Sequence, residues 1–179
     1  IIRNEIGLAI IDRNEQIIAQ THYQEHYRSN CYPDWLFYWC TPDSIAFYEE
    51  GKFGIMNAQG QVIAEPKYSH VMHSNLRDVI IVRETIPESK EAHEGAIRTN
   101  GEVVLPMEYQ SIIPRKKYNI LIIKKNDKYG LVDNNGNMIL PMEYDSMSIS
   151  NEQGLAAIAV SKDGESYLIN EKSERVSEN

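Results

Sequence analysis

The sequence predicts an all-β protein built as an array of about five repeats. Three observations carry this prediction. A nine-residue phrase is written three times, at 60–68, 101–109 and 136–144. Short apolar runs rich in β-branched residues recur after these phrases, and no window of a dozen residues shows a helical period with caps. Self-similarity at a period of 20–50 residues indicates a repeat architecture, and alternating or short apolar runs indicate strands.

Each repeat is anchored on a turn. When the units are aligned without gaps, the turn positions recur every 35 to 45 residues, so the strands are constant and the loops between them vary in length. The two outermost turns lack glycine, as expected of terminal units in a stacked array. The five turn positions are Glu15, Gly60, Gly101, Gly136 and Ser173.

Within a repeat we expect a β-hairpin followed by a third strand. The pair Asn135-Gly136 is typical of a two-residue type I′ turn, in which both residues have positive φ. The second strand ends at Pro141, because proline has no N–H to give to a sheet. The third strand is a continuous apolar run, which indicates burial on both faces. These third strands are predicted at 45–48, 79–82, 120–123 and 155–160.

The array is predicted to remain an open, curved, solenoid-like stack. Three strands and as few as 35 residues per unit are short for a propeller blade, although a closed, small propeller-like arrangement is the alternative. We treat 1–179 as a single domain, with 171–179 as a frayed polar tail. The chain begins at Ile1 in what reads as the middle of a strand, so either a leader was removed or a longer protein was trimmed, and both explanations stay open.

The repeated pattern has a specific residue signature. It reads aromatic-Gly-apolar-apolar-Asp/Asn, then a turn glycine, then apolar-apolar-x-Pro-x-x-Tyr, and it is clearest at 52–68 and 128–144. This pattern resembles the WG-containing repeat family, also called KWG repeats, found widely in bacteria. Phe53 and Tyr129 stand where Trp is usual, and Glu94 takes that place in another copy. The resemblance implies a β-rich repeat domain with interaction roles and no catalytic motif.

The net charge of the chain limits the classes of partner that it is expected to bind. With a net charge of −8 and a pI near 5.1, it lacks the basic surface that a duplex nucleic acid requires. A basic protein partner or a neutral ligand fits better. No apolar run approaches 18 residues, so we expect no membrane span. The cellular location, cytoplasmic or exported, and the oligomeric state stay open, and no cofactor is expected.

The candidate binding residues lie in a segment, 28–44, that interrupts the repeat and holds both tryptophans of the chain between Cys31 and Cys40. Aromatic side chains on loops are common anchors of recognition surfaces. The alternative is that the segment is an extra core strand that plugs the first unit. Whether the two cysteines form a bridge also stays open. The candidate binding residues are Tyr32, Asp34, Trp35, Tyr38 and Trp39.

A tyrosine ends each phrase, at positions 23, 68, 109 and 144. These rings would stack at equivalent places in successive units. A structural ladder covering the preceding residues is the favoured interpretation, and an aromatic strip for sugar or peptide is the alternative.

No catalytic or metal site is predicted. His22 and His26 would lie about 13 Å apart along a strand, too far to share a metal ion. The carboxylates are scattered, and there is no phosphate-binding loop or nucleophile elbow. The leading hypothesis is a non-catalytic protein-interaction module for a basic partner, for example a toxin that an immunity protein neutralises. The alternatives are a carbohydrate or cell-envelope binding module, which would use the tryptophans and the tyrosine strip, and a hydrolase with an unrecognised site.

Overall fold

The computed structural model describes residues 2–4, 7–11, 14–22, 37–41, 44–49, 51–57, 59–86, 91–150 and 154–176. These ranges are almost entirely β-strand, with single 3-10 turns at Lys116–Tyr118 and Gly154–Ala156. The strands are β1 (Ile2–Asn4), β2 (Gly7–Ile11), β3 (Ile17–His22), β4 (Phe37–Thr41), β5 (Ser44–Glu49), β6 (Lys52–Asn57), β7 (Val62–Tyr68), β8 (His70–His73), β9 (Val79–Thr85), β10 (Ala92–Arg98), β11 (Val103–Tyr109), β12 (Ser111–Arg115), β13 (Ile120–Lys125), β14 (Lys128–Asp133), β15 (Met138–Tyr144), β16 (Ser146–Ile149), β17 (Ile158–Lys162), β18 (Glu165–Ile169) and β19 (Arg175–Val176).

The strands form successive antiparallel sheets in chain order. Sheet 1 contains β1–β3, sheet 2 β4–β7, sheet 3 β8–β11, sheet 4 β12–β15 and sheet 5 β16–β19. In each sheet every strand pairs with its neighbour in the chain. Among the described strands none of these sheets closes into a barrel. The all-β repeat array is confirmed, and this arrangement is consistent with an open stack.

The structure adds one strand to the predicted unit. Each of sheets 2 to 5 begins with a short strand, namely β4, β8, β12 and β16, in front of an apolar strand and a hairpin. The apolar strand that follows a hairpin in the chain belongs to the next sheet and not to the sheet of that hairpin. The first strands β8, β12 and β16 lack a long apolar run, and β12 contains Pro114, so their sequences carry little strand signal. In contrast, β4 contains the run Phe37-Tyr38-Trp39-Cys40. The predicted insertion at 28–44 therefore contains β4, which holds the same place in sheet 2 as the other first strands hold in theirs.

From sheet 2 to sheet 5, the chain passes from one sheet to the next through a single residue. Ser69, Gln110 and Asp145 each separate the last strand of one sheet from the first strand of the next. The backbone N–H of each donates to the second strand of the new sheet, accepted by Arg83, Lys124 and Ser161 at 2.8 Å in all three cases. Identical hydrogen bonds at these crossings fix successive sheets in the same relative position.

The core consists of apolar layers between successive sheets. Along β13, Leu121 and Ile123 face a cluster shared with sheet 3, whereas Ile120 and Ile122 face one shared with sheet 5. Alternate residues of a strand point to opposite faces, so a strand between two sheets needs apolar residues at every position. The prediction that these apolar runs are buried on both faces is confirmed for 45–48, where Tyr48 alone is half-buried, and for 79–82 and 120–123. It is wrong for 155–160, because this stretch begins in the 3-10 turn Gly154–Ala156, the strand starts only at Ile158, and Ala159 is exposed.

The aromatic-Gly and Pro-x-x-Tyr parts of the signature form the two sides of one bulge. From Tyr129 to Leu131 the pairing advances two residues along β14, but from Tyr144 to Leu140 it advances four along β15. The extra residues, Pro141 and Met142, fold over Gly130, where a Cβ would lie 2.6 Å from the Met142 Cγ. Proline is tolerated there because a bulge removes the need for its missing N–H.

The five predicted turn positions are confirmed. Each has positive φ, including Glu15 and Ser173, which are not glycine. The type I′ prediction is wrong, because Asn135 does not have positive φ and only Gly136 does. The N–H of Gly136 donates to the carbonyl of Asp133, whose own N–H donates to Asn137. The connection is thus a three-residue loop with one left-handed residue at its end, the second commonest class of hairpin.

Candidate functional site

The predicted aromatic site falls largely beyond what the structure describes. Tyr32, Asp34 and Trp35 lie outside the described residues. Tyr38 and Trp39 lie on β4, opposite Ala46 and Ile45 of β5. Two of the five candidates are thus placed on a regular strand at one edge of sheet 2. That these residues bind a partner stays a prediction.

The tyrosines that end each phrase are buried. Tyr68, Tyr109 and Tyr144 are each the last residue of a sheet's fourth strand and belong to the apolar layers between sheets. Burial raises the pKa of Tyr109, as does the neighbouring carboxylate of Glu108. The exposed aromatic strip is wrong for these three residues, and the structural ladder agrees with their burial. Tyr23 lies outside the described residues.

The carboxylates that precede two of these tyrosines are used in ion pairs between sheets. Glu108 of sheet 3 pairs with Lys125 of sheet 4, and Glu143 of sheet 4 pairs with Lys162 of sheet 5, both at 2.9 Å. Another lysine of sheet 4, Lys124, hydrogen-bonds Asp127, which raises the pKa of the lysine. These surface charges therefore neutralise one another locally.

One carboxylate of the described residues is fully buried, that of Glu94. It takes the place of the signature aromatic residue, opposite Tyr109. The Arg83 guanidinium donates to Glu94 Oε1, with Nε at 3.0 Å, and the backbone N–H of Ile112 donates to Oε2 at 2.6 Å. Both oxygens are thus occupied by protein groups. This arrangement ties sheet 3 to sheet 4 and resembles a structural ion pair more than an acid or base facing a substrate.

The described histidines do not converge. His70 and His73 are three residues apart on β8, so their side chains leave opposite faces of the strand. Burial, and secondarily Arg83, lowers the pKa of His70, while the ring of His73 accepts the N–H of Asn75 at 3.1 Å. Across the described ranges, no group of three His, Cys, Asp or Glu side chains is placed to hold a metal ion. Nor does any helix in these ranges have the length and hydropathy needed to cross a membrane.

Large apolar side chains are exposed at one equivalent position in four successive sheets. Each is the first residue of the strand after the hairpin turn, two residues beyond the turn position. Their exposed fractions lie between 50% and 64%. Single exposed apolar residues are common on protein surfaces, but these four recur at one equivalent position of successive sheets. Sequence reasoning missed this feature, although the alignment already contained its signal, an apolar residue where a strand leaves a polar turn. We call these residues the apolar strip: Ile17, Val62, Val103 and Met138.

The members of the strip are neighbours through the hairpin turns. A Cβ on Gly101 would lie 3.3 Å from the carbonyl oxygen of Ile63, the residue after Val62. In the same way Gly136 abuts the carbonyl of Val104, the residue after Val103. Each turn therefore rests on the strand that carries the previous member of the strip. The strip runs across adjacent sheets at their hairpin end.

The surface around the strip is acidic. The only described basic side chains on the hairpin turns are those of Arg98 and Lys172. Arg98 is just 17% exposed, because it donates to Asp78 at 3.0 Å and to Asn135 Oδ1 of the next turn at 2.7 Å. On the turns that precede members of the strip, the described acidic residues are Glu15, Glu102 and Asp133, and Glu102 lies 3.9 Å from Arg98. Lys172, Glu171 and Glu174 are on the turn of sheet 5, which carries no member of the strip.

Comparison with known proteins agrees with the repeat signature. The family model described as WG containing repeat matches at 53–84, 95–129 and 129–164, together more than half of the chain. One similar solved structure is entitled "Crystal structure of the eukaryotic initiation factor". Its TM-score is 0.48 at 12% identity, and the match covers 75% of this chain and 40% of that chain. Among curated proteins, none matches this chain in sequence.

The matched segments begin at Phe53, Gly95 and Tyr129, within a residue of the place where the aromatic residue and the bulge glycine meet. The residues that the family model recognises are thus those that form the bulge, the hairpin turn and the crossing between sheets. The chain belongs to the WG-containing repeat family.

Proposed function

We propose that this repeat protein is a non-catalytic protein-interaction module. The observation that carries the proposal is the apolar strip, in which Ile, Val and Met side chains are half-exposed at the same place in four successive sheets. Contiguous exposed apolar surface rimmed by polar residues is typical of protein contact sites. The acidic turns around it favour a basic partner.

The aromatic segment is the second part of the proposed contact. Trp35 and Trp39, with Tyr32 and Tyr38, supply aromatic anchors, and Asp34 supplies a negative charge beside them. An interaction role is also supported because other polar and aromatic side chains of the repeats contact groups within the protein itself. The phrase tyrosines are buried, and the described Glu and Lys side chains beside them are paired.

The experiment compares what matched variants capture. The strip variant carries Val62→Ser, Val103→Ser and Met138→Ser, and Ile113→Ser is the control, because Ile113 is also exposed but lies on β12 outside the strip. Proteins captured by the unaltered chain and by the control should be lost with the strip variant. Their binding, measured again with purified components, should weaken as salt rises.

The Trp35→Ala and Trp39→Ala pair tests the aromatic segment in the same assay. If the strip variant and the tryptophan variant both capture the same proteins as the unaltered chain, the proposed function is contradicted.

A further inference from the structure

Asparagine precedes glycine at two places in the chain, and both lie in hairpin turns. The pairs are Asn100-Gly101 in sheet 3 and Asn135-Gly136 in sheet 4, and they hold the same place in the repeat. Both asparagines are exposed, whereas both glycines are half-buried and have positive φ. The two turns therefore present the same reactive sequence to water.

An asparagine that precedes glycine can react with its own backbone without an enzyme. The glycine backbone nitrogen attacks the asparagine Cγ, so that a new C–N bond closes a five-membered ring. The proton of that nitrogen passes to the side-chain NH2 group, which leaves as ammonia. Water then opens the ring at either of its two carbonyl carbons and gives aspartate or isoaspartate. Glycine favours the attack because it has no Cβ to hinder the approach.

The two asparagine side chains are held differently. Asn100 Oδ1 accepts the backbone N–H of Glu102 at 2.9 Å, so this side chain is folded back over its own turn. Asn135 Oδ1 instead accepts from the guanidinium of Arg98, on the preceding sheet, at 2.7 Å, and Arg98 is itself held by Asp78. To reach its own backbone, the Asn135 side chain must leave this charged donor. The Asn100 side chain has no such donor to leave.

The backbone around the two glycines is also packed differently. In both turns the glycine N–H donates to the residue three positions earlier, at 2.9 Å for Gly101 and 3.1 Å for Gly136, so this contact does not distinguish them. A Cβ on Gly136 would collide with the carbonyl oxygen of Val104, whereas one on Gly101 would lie 3.3 Å from that of Ile63. Ring closure displaces the peptide bond before the glycine, and the turn of sheet 3 has more room for this movement.

We propose that Asn100 is a modification site that converts spontaneously to aspartate and isoaspartate, and that Arg98 protects Asn135 from the same reaction. Conversion adds a negative charge to the turn that precedes Val103. Isoaspartate also lengthens the backbone of that turn by one carbon. This inference does not depend on the proposed function, because it follows from the chemistry and packing of the turns alone.

Peptide mapping by mass spectrometry measures conversion at each site while the full chain is incubated at mildly alkaline pH. We expect Asn100 to convert at least about tenfold faster than Asn135, the factor that corresponds to breaking one hydrogen bond to a charged group. The same chain unfolded in urea is the internal control, because both sites precede glycine and should convert there at similar rates. Equal rates in the folded protein would overturn the inference, as would a folded Asn100 that stays intact while the unfolded chain reacts.

A variant tests the protecting role of Arg98. Arg98→Met removes the donor and keeps an unbranched side chain, so in a protein shown to be folded by circular dichroism Asn135 should convert about tenfold faster than before. Arg175→Met is the matched control and should leave both rates unchanged, because Arg175 contacts Glu165 and Tyr167 of sheet 5. An unchanged Asn135 rate in the folded Arg98→Met protein would overturn the protecting role. If that variant does not fold, the ratio of the two rates in the unaltered protein still decides.

Discussion

The carboxylate of Glu94 accepts the backbone N–H of Ile112 at 2.6 Å, across the junction of sheets 3 and 4. The same carboxylate pairs with Arg83. One acidic side chain, at a position where the repeat signature has an aromatic ring, thus satisfies a buried donor and a cation from two different sheets. Loss of the Glu94 carboxylate should therefore destabilise the whole junction between sheets 3 and 4.

Glu94→Ala is expected to lower the free energy of unfolding by about 2–3 kcal/mol, because it leaves the Ile112 N–H without its acceptor and Arg83 without its partner. The figure lies below that for a fully buried pair, since the Arg83 side chain is 37% exposed and can be hydrated. Chemical denaturation measures the change. Glu108→Ala is the matched control and should cost about 1 kcal/mol or less, because its pair with Lys125 lies at the surface. Equal losses in the two variants would contradict the bridging role of Glu94.

Asp133 should make the protein sensitive to acid. Burial alone would raise the pKa of Asp133, but hydrogen bonds from Asn137 and Asn135 outweigh it and hold the pKa below its usual value. A carboxyl whose pKa is lowered by folding stabilises the protein above its unfolded pKa, near 3.9, and this contribution is lost as pH falls below about 4.

Asp133→Asn should keep the turn at pH 7, since Asn57 and Asn170 already accept the equivalent backbone hydrogen bonds in their turns. Because asparagine does not titrate, the variant should lose less stability than the unaltered protein as the pH falls. Thermal unfolding followed between neutral pH and pH 3 distinguishes the two proteins. An unchanged acid limb would show that other groups set it.

The bulge glycines should differ in their tolerance of a methyl group. At Gly54 a Cβ would collide with the buried ring of Phe47 and lie 2.9 Å from the carbonyl oxygen of Ala64. At Gly130 the nearest atom belongs to Met142, a flexible side chain that can move aside. Gly54→Ala should therefore cost about 2–3 kcal/mol and Gly130→Ala about 1 kcal/mol, as overpacking does elsewhere. A reversed order in urea unfolding would refute this account of the bulge.

Ser173→Gly is expected to stabilise the protein by about 0.5–1 kcal/mol. Ser173 has φ of 64°, a conformation that costs a residue with a Cβ but not glycine. Gly60, Gly101 and Gly136 hold the same place in other repeats, so glycine is compatible with the turn. The melting temperature should rise accordingly. Glu171→Gly serves as the control and should give no gain, because Glu171 is not among the residues with positive φ.

Much of the fold could be predicted from the sequence because its strongest signals have local causes. The alignment identified Glu15 and Ser173 as turn positions even without glycine, because they hold the place of Gly60, Gly101 and Gly136 in the other repeats. The two-sided apolar runs identified the buried strands. The turn class failed because the Asn-Gly pair occurs in both two-residue and three-residue connections, and only the backbone distinguishes them.

The remaining features depend on contacts between distant residues. The first strand of sheet 5, Ser146–Ile149, is short and half polar, and it becomes a strand because the crossing residue Asp145 delivers it to β17. The apolar strip needed exposure as well as pattern, since an apolar residue after a turn is equally consistent with a buried strand. The aromatic candidates at 32–35 lie outside the described residues.

The single-residue crossings have a consequence for how such a protein can lengthen. Because each matched segment supplies the last two strands of one sheet and the first two of the next, the segment is out of phase with the sheets. Excising one segment, such as 95–129, would leave β8 and β9 in register to pair with β14 and β15 as a complete hybrid sheet. Gain or loss of one copy should therefore leave complete four-stranded sheets rather than a half-built one.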